Sequence, residues 1–235
     1  MRILAIGAHP DDVEFYCSGT LLACKARGDD VVMACVANGD KGAVDITCAE
    51  LAEIRRRESA AAAELIGAEL LWLGLPDGEL FVCPEQRDVV MDAIREARPD
   101  AIITHNPDDY HADHCATSEL VFSASFFASA PNLRGKRELP AHPVVPPIFY
   151  MDTPMGMGFL PTEYVDITPF MDVKRQVMAC HQSQVQWLKE HDGLDLLRFG
   201  ELTAEFRGMQ CRVPYAEGFR QLEQWPRMAA GRVLP

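Results

Sequence analysis

A chain of 235 residues, 48% hydrophobic and 24% charged, can bury a large core in one domain, and its formal charge of -13 repels phosphate backbones and anionic membrane surfaces. Nucleic acid and membrane are therefore set aside as partners. None of the eight cysteines forms a CxxC pair, the amino-terminal apolar run is too short for a signal peptide, and nothing approaches the roughly 18 apolar residues of a membrane span, so reduced thiols and a cytoplasmic location are expected.

The first expected strand, Ile3–Ile6, runs straight into AHPDDVE, which carries His9, Asp11, Asp12 and Glu14. A helix over Thr20–Arg27 stops at Gly28, and a strand over Val31–Val36 leads to Asn38. The next helix, Ala49–Ile66, ends at Gly67. Thr47 with Glu50 three residues later has the pattern of a capping box, in which each side chain satisfies an orphan backbone donor. Strand Leu70–Leu73, a helix from about Pro84 to Ala97 and strand Ala101–Thr104 follow. The helix expected over Ala112–Ala130 begins within His111, Asp113 and His114. Five prolines from Pro131 to Pro147 block both helix and central strand, so Ala130–Pro147 reads as an irregular surface loop, a lid near the site or an oligomer contact. A fifth strand, Ile148–Met151, and one helix from Phe170 to about Lys189 complete the legible elements. The core thus spans about 1–130 and 147–190 of a single domain, with residues 200–235 as a tail expected to pack near the site.

Short apolar strands alternating with helical crossovers predict an α/β fold: a Rossmann-like, doubly wound, mostly parallel sheet with helices on both faces. Ligands in such sheets bind beyond the carboxyl ends of the strands, where the winding reverses. With strand one beside strand four, the loops after Ile6 and Thr104 meet there. A dinucleotide is excluded because GAHPDDVEFYCSG replaces GxGxxG and puts carboxylates where pyrophosphate would sit.

Imidazole and carboxylate together suit zinc or ferrous iron better than magnesium or calcium, which prefer oxygen alone. His9 and Asp12, three apart across a tight turn, fit one site and leave Asp11 free as a base. Of His111 and His114, one can bind the metal while the other faces the substrate, and Asp113 can take the spare N–H of a ligand histidine. Cys115 reads as a small buried hydrophobe and His181 as structural, while His105, His142 and His191 receive no role.

AHPDDVE at 8–14, EIRRRE with Arg55 and Glu58, LGLPDGEL at 73–80, HADH at 111–114, HQSQ at 181–184 and YAEGF at 215–219 together resemble the LmbE-like, or PIG-L, family of N-acetylglucosaminyl deacetylases. The resemblance implies a zinc-dependent hydrolase of a small amino-sugar conjugate, with ferrous iron or another divalent metal as alternatives. It implies His9, Asp12 and His114 as ligands, Asp11 as general base for a water on the metal, and a protonated His111 stabilising the oxyanion or protonating the leaving amine. Arg55 and Asp77 are implied as sugar contacts, and Asn38 is placed in the same crevice by its position after the second strand. An inward Arg55 would favour an anionic substrate. The resemblance also implies a homo-oligomer, trimer or hexamer. Alternatives are a thiol-conjugate amidase on the same metal site and a catalytically silent sugar-binding module.

Overall fold

A computed structural model describes residues 1–235. Seven strands form one sheet in the order β3-β2-β1-β4-β5-β7-β6. They are β1 (Arg2–Gly7), β2 (Asp30–Ala37), β3 (Glu69–Leu75), β4 (Ala101–Thr104), β5 (Ile148–Met151), β6 (Glu163–Asp166) and β7 (Ala216–Gln221). The first five are parallel, as the alternation predicts, and β7 runs antiparallel to both β5 and β6. β1 lies between β2 and β4, so the winding reverses between β1 and β4.

Alternation along each strand feeds two apolar layers. Ile3, Ala5, Val31, Met33, Ile103 and Phe149 face one side, and Leu4, Ile6, Val32, Ala34, Ile102 and Ile148 the other. Helices α1 (Asp12–Tyr16), α2 (Ser18–Arg27), α3 (Cys48–Ile66), α4 (Pro84–Ala97) and α5 (Ala112–Phe127) connect the parallel strands. The capping box at Thr47 and Glu50 is formed, and Gly28 and Gly67 close α2 and α3 in left-handed conformations, at φ 93° and 75°.

The single helix expected from Phe170 to Lys189 is two, α6 (Met171–Met178) and α7 (Gln182–His191). The break draws His181 inward, where its Nε2 meets Glu14 Oε1 at 2.9 Å, while Glu58 accepts both the N–H and the hydroxyl of Ser183. The tail holds α8 (Leu196–Cys211) and β7. Glu217 of β7 accepts the N–H groups of Gly19 and Thr20 at the start of α2 and pairs with buried Lys174 at 2.6 Å. Paired buried charge of this kind fixes which surfaces meet more than it adds stability.

The Ala130–Pro147 segment is irregular, as its prolines require, but it is no lid over the strands' carboxyl ends. The imidazole of His142 meets Pro99 O, just before β4, and Ile102 N–H donates to Pro147 O, so the segment packs at the amino end of the sheet. The last residues of the tail lie there too, with Arg27 donating to Val233 O. No residue of 200–235 lines the crevice; the part of α8 that does, Leu196 and Phe199, comes just before that stretch.

Candidate metal and catalytic site

The first loop is set by close approach. A Cβ on Gly7 would stand 2.9 Å from that of Asp12, so only glycine lets β1 end directly against α1. Four residues later the chain turns through Asp11 at φ 136°, ψ -27°, a conformation that costs a non-glycine residue about 1–3 kcal/mol. That turn sends adjacent carboxylates different ways. Asp12 points into the cluster, its Oδ2 accepting the His9 N–H at 2.6 Å, whereas Asp11 Oδ2 stands 3.4 Å from Arg55 Nη2.

The second loop brings His111 and His114 opposite. Asp12 Oδ2 lies 3.5 Å from His9 Nδ1, and Asp12 Oδ1 lies 3.3 Å from His114 Nε2. His9 Nε2 faces Asp77 and Asp113, each at 3.3 Å, which leaves Nδ1 as its inward atom. Asp12 thus approaches His9 with Oδ2 and His114 with Oδ1, so the three expected ligands lie side by side but are not themselves one of the groups whose ligand atoms all converge. The groups whose ligand atoms do converge closely enough to share a cation are His9–His111–His114, Asp12–His105–His114 and His9–Asp77–Asp113. Asp113 is itself anchored by the Gly78 N–H at 2.8 Å, and Asp109 Oδ1 approaches His114 Nδ1 at 3.1 Å. Carboxylates thus back both imidazoles, an arrangement that orients metal-binding histidines.

The titration behaviour has the same origin. Burial works against a proton on His9, but Asp113, Asp12 and Asp77 outweigh it and hold the pKa well above the ordinary value. Burial likewise opposes a charged His114, yet Asp12 and Asp109 raise it to about 9. Asp12 resists burial through His114 and His105 and stays well below the usual carboxylate range. A cluster that holds protons this tightly is matched to positive charge, which a divalent cation supplies in their place. Asp11 behaves differently, because burial raises it to about 6 against the pull of Arg55.

His111 caps α5, its Nδ1 accepting the Asp113 N–H at 3.2 Å, and burial followed by His9 and His114 lowers its pKa. Both the backbone N–H on Nδ1 and the lowered pKa favour the neutral imidazole with its proton on Nε2, where the resemblance implies a protonated one. A neutral imidazole still donates one hydrogen bond.

Three further expectations meet the structure differently. Arg55 is 3% exposed and lines the crevice, but its Nη1 donates to Gly39 O and its Nη2 to Pro10 O, at 3.1 and 2.7 Å. Asn38 does not line the crevice; its Oδ1 accepts the Asp40 N–H. Asp77 lines it while contacting His9. Cys115, half-buried, turns its thiol to Asp109 O, away from the cluster.

Sequence reasoning missed His105. It is fully buried, accepts the Ala8 N–H at 2.9 Å, stacks on His114 at 4.0 Å and stands 3.1 Å from Asp12 Oδ2. Burial and then His114 push its pKa down to about 4. Its position directly after β4 was the available signal. Also missed was the far wall of the crevice, which Phe15, Tyr16, Leu188, Leu196 and Phe199 form around about 230 Å³ of space.

Residues 4–125 match the family model described as PIG-L, GlcNAc-PI de-N-acetylase. Diacetylchitobiose deacetylase of Thermococcus kodakarensis is 30% identical over 229 residues, covering 93% of this chain and 82% of that protein. The 4-oxalmesaconate hydratase of Pseudomonas putida is 25% identical over 238 residues, covering 93% of this chain and 88% of that one. Among solved structures, N,N'-diacetylchitobiose deacetylase from Pyrococcus horikoshii, complexed with its inhibitor MPG, superposes with a TM-score of 0.80 at 28% identity, covering 94% of this chain and 83% of that one. No helix is long and apolar enough to cross a membrane.

Proposed function

Because the chain belongs to the PIG-L, or LmbE-like, family, we propose that it is a metal-dependent, zinc-using N-deacetylase acting on an N-acetylglucosamine-type small conjugate. The observation that carries this reading is the pairing of functions at one turn. Asp12 meets His9 and His114 at 3.5 and 3.3 Å, while its neighbour Asp11, at φ 136°, faces the same crevice outside that contact set.

His9, Asp12 and His114 hold the cation, and Asp113 and Asp109 orient the two imidazoles. When bound, the cation supplies Lewis acidity and brings the pKa of water to about 7. Asp11, poised near 6 by burial and Arg55, accepts the proton that water loses as its oxygen attacks the acetamide carbon. His111 gives its Nε2–H to the oxygen on which negative charge develops. The C–N bond then breaks, acetate leaves, and the proton on Asp11 passes to the amine.

Hydration of a polycarboxylate, the second chemistry among the relatives, is disfavoured. Arg55 is the one Arg or Lys lining the crevice, and backbone carbonyls and Asp11 already engage its fork. A thiol-conjugate amidase or a silent sugar-binding module would differ in product. The test is elemental analysis combined with acetate release from glycosides of N-acetylglucosamine. Wild-type protein should carry close to one divalent metal per chain and release acetate, and His114→Ala should lose both. Absence of bound metal after reconstitution would overturn the reading.

A further inference from the structure

The crevice has two walls of opposite character. Asp11, Asp12, Asp77 and the histidines form one; Phe15 and Tyr16 of α1, Leu188 of α7, and Leu196 and Phe199 of α8 form the other. The amino-terminal α1 and the consecutive, much later α7 and α8 converge on this second wall, and it is only partly covered by the protein itself. Phe15 and Leu196 are buried, while Tyr16, Leu188 and Phe199 are half-buried where they line the crevice. Such surface gains by being covered, at about tenfold in affinity for each roughly 55 Å² of apolar area removed from water.

On the polar wall, the one arginine already has both terminal nitrogens engaged. Arg55 spends Nη1 on Gly39 O and Nη2 on Pro10 O and Asp11. It is wedged in place as well, since its guanidinium lies so close over Gly39 that a Cβ there would meet it at 2.6 Å. The carboxylates around it, in a chain of formal charge -13, repel a carboxylate or phosphate. Size sets a further limit. About 230 Å³ falls below the roughly 300–1,000 Å³ of pockets for drug-sized ligands, which leaves room for one sugar ring and a short substituent.

We infer that this enzyme selects an N-acylated amino sugar bearing a short, neutral, apolar substituent, which packs against Phe15, Tyr16, Leu188, Leu196 and Phe199. The inference rests on the deacetylase reading. The substituent has two possible sources, an apolar group on the anomeric oxygen or an acyl group longer than acetyl on the nitrogen.

The experiment compares kcat/KM, by amine release from the metal-loaded protein, for the methyl, phenyl and malate glycosides of N-acetylglucosamine and for the N-butanoyl methyl glycoside. The phenyl arm should exceed the methyl arm by about tenfold or more, with malate below methyl. A gain confined to the N-butanoyl arm assigns the substituent to the acyl side. In the double variant Leu188→Ser, Phe199→Ser the favoured arm's advantage over methyl should collapse to under about threefold. Equal rates for methyl, phenyl and butanoyl substrates, or a preference for malate, would overturn the inference while leaving deacetylation intact. If no arm releases amine, the deacetylase reading fails. Calorimetric binding of phenyl and methyl glucosaminides then reads the apolar wall independently of turnover: tighter phenyl binding, lost in the double variant, supports it, and equal binding rejects it.

Discussion

At the carboxyl ends of the strands, His105 Nδ1, Asp109 Oδ2 and Arg55 Nε are buried without a hydrogen-bond partner. At the amino ends, the buried guanidinium of Arg95 is taken up by five backbone carbonyls, those of Phe127, Ala128, Ala130, Leu133 and Leu139. Both regions bury charge against the same sheet. One leaves polar atoms unspent and bends Asp11 into a costly conformation, as a site awaiting a ligand does. The other uses its charge to close an irregular segment, and there the negative end of α5 adds to the match. Asp92 Oδ1 and His142 Nδ1, also without partners at that end, show that its saturation is incomplete. Substitutions should therefore trade off differently, with rate lost at the carboxyl end and stability at the amino end.

The largest effect tests the carboxyl end. Asp11→Asn keeps the shape and the tolerance of positive φ but cannot accept a proton, so turnover should fall about 10²–10⁴-fold. Metal content and melting temperature should stay close to those of wild type. Loss of metal in parallel with rate would place Asp11 among the ligands and break the comparison.

Next in size, Arg95→Met removes the donor from the carbonyls of the Ala130–Pro147 segment. Leaving buried acceptors unmatched costs about 3 kcal/mol, or roughly 6–12 °C in melting temperature for a chain of this length. The initial rate at low temperature should hardly change, because the segment lies at the end of the sheet opposite the crevice. A rate collapse in protein that remains folded would show that the two ends are coupled.

This division also governs what could be read in the sequence. The place of His9, Asp11 and Asp12 in the crevice was legible because they follow the end of β1 directly, and that of His111 and His114 because they close the loop after β4 and open α5, at the end of the sheet where the fold concentrates chemistry. His105 satisfies that rule as well and was passed over. The role of Arg55 was hidden, since its partners are the carbonyls of Pro10 and Gly39, and backbone acceptors leave no mark in the residue pattern. The apolar wall was hidden for a topological reason. Leu188, Leu196 and Phe199 follow a break in the expected helix Phe170–Lys189, and the partner that His181 meets at that break, Glu14, lies 167 residues away. In Ala130–Pro147 the prolines announced irregularity but not location, which is set by single contacts such as that of His142 with Pro99.

The smallest effect sharpens the amino-end half of the comparison through pH. Asp29, just before β2, is gripped by Arg27 through Nε and Nη2, at 2.8 and 2.5 Å, and by the Met1 ammonium at 3.0 Å. Burial tends to raise its pKa, but the hydrogen bonds from these cations prevail and hold it below the ordinary 3.8. A carboxylate whose folded-state pKa is depressed stabilises the fold fully above its unfolded value, and that contribution is lost as pH falls through the folded value. Asp29→Asn should therefore cost about 1 kcal/mol at pH 7, the scale of a partly exposed ion pair, and the cost should shrink with added salt. Below the folded pKa wild type and variant should converge, because the wild-type side chain is then neutral too. Chemical denaturation of both proteins from pH 7 down to the acid limit measures the gap. A gap that stays constant with pH would mean that Asp29 acts through its shape and hydrogen bonds, not its charge.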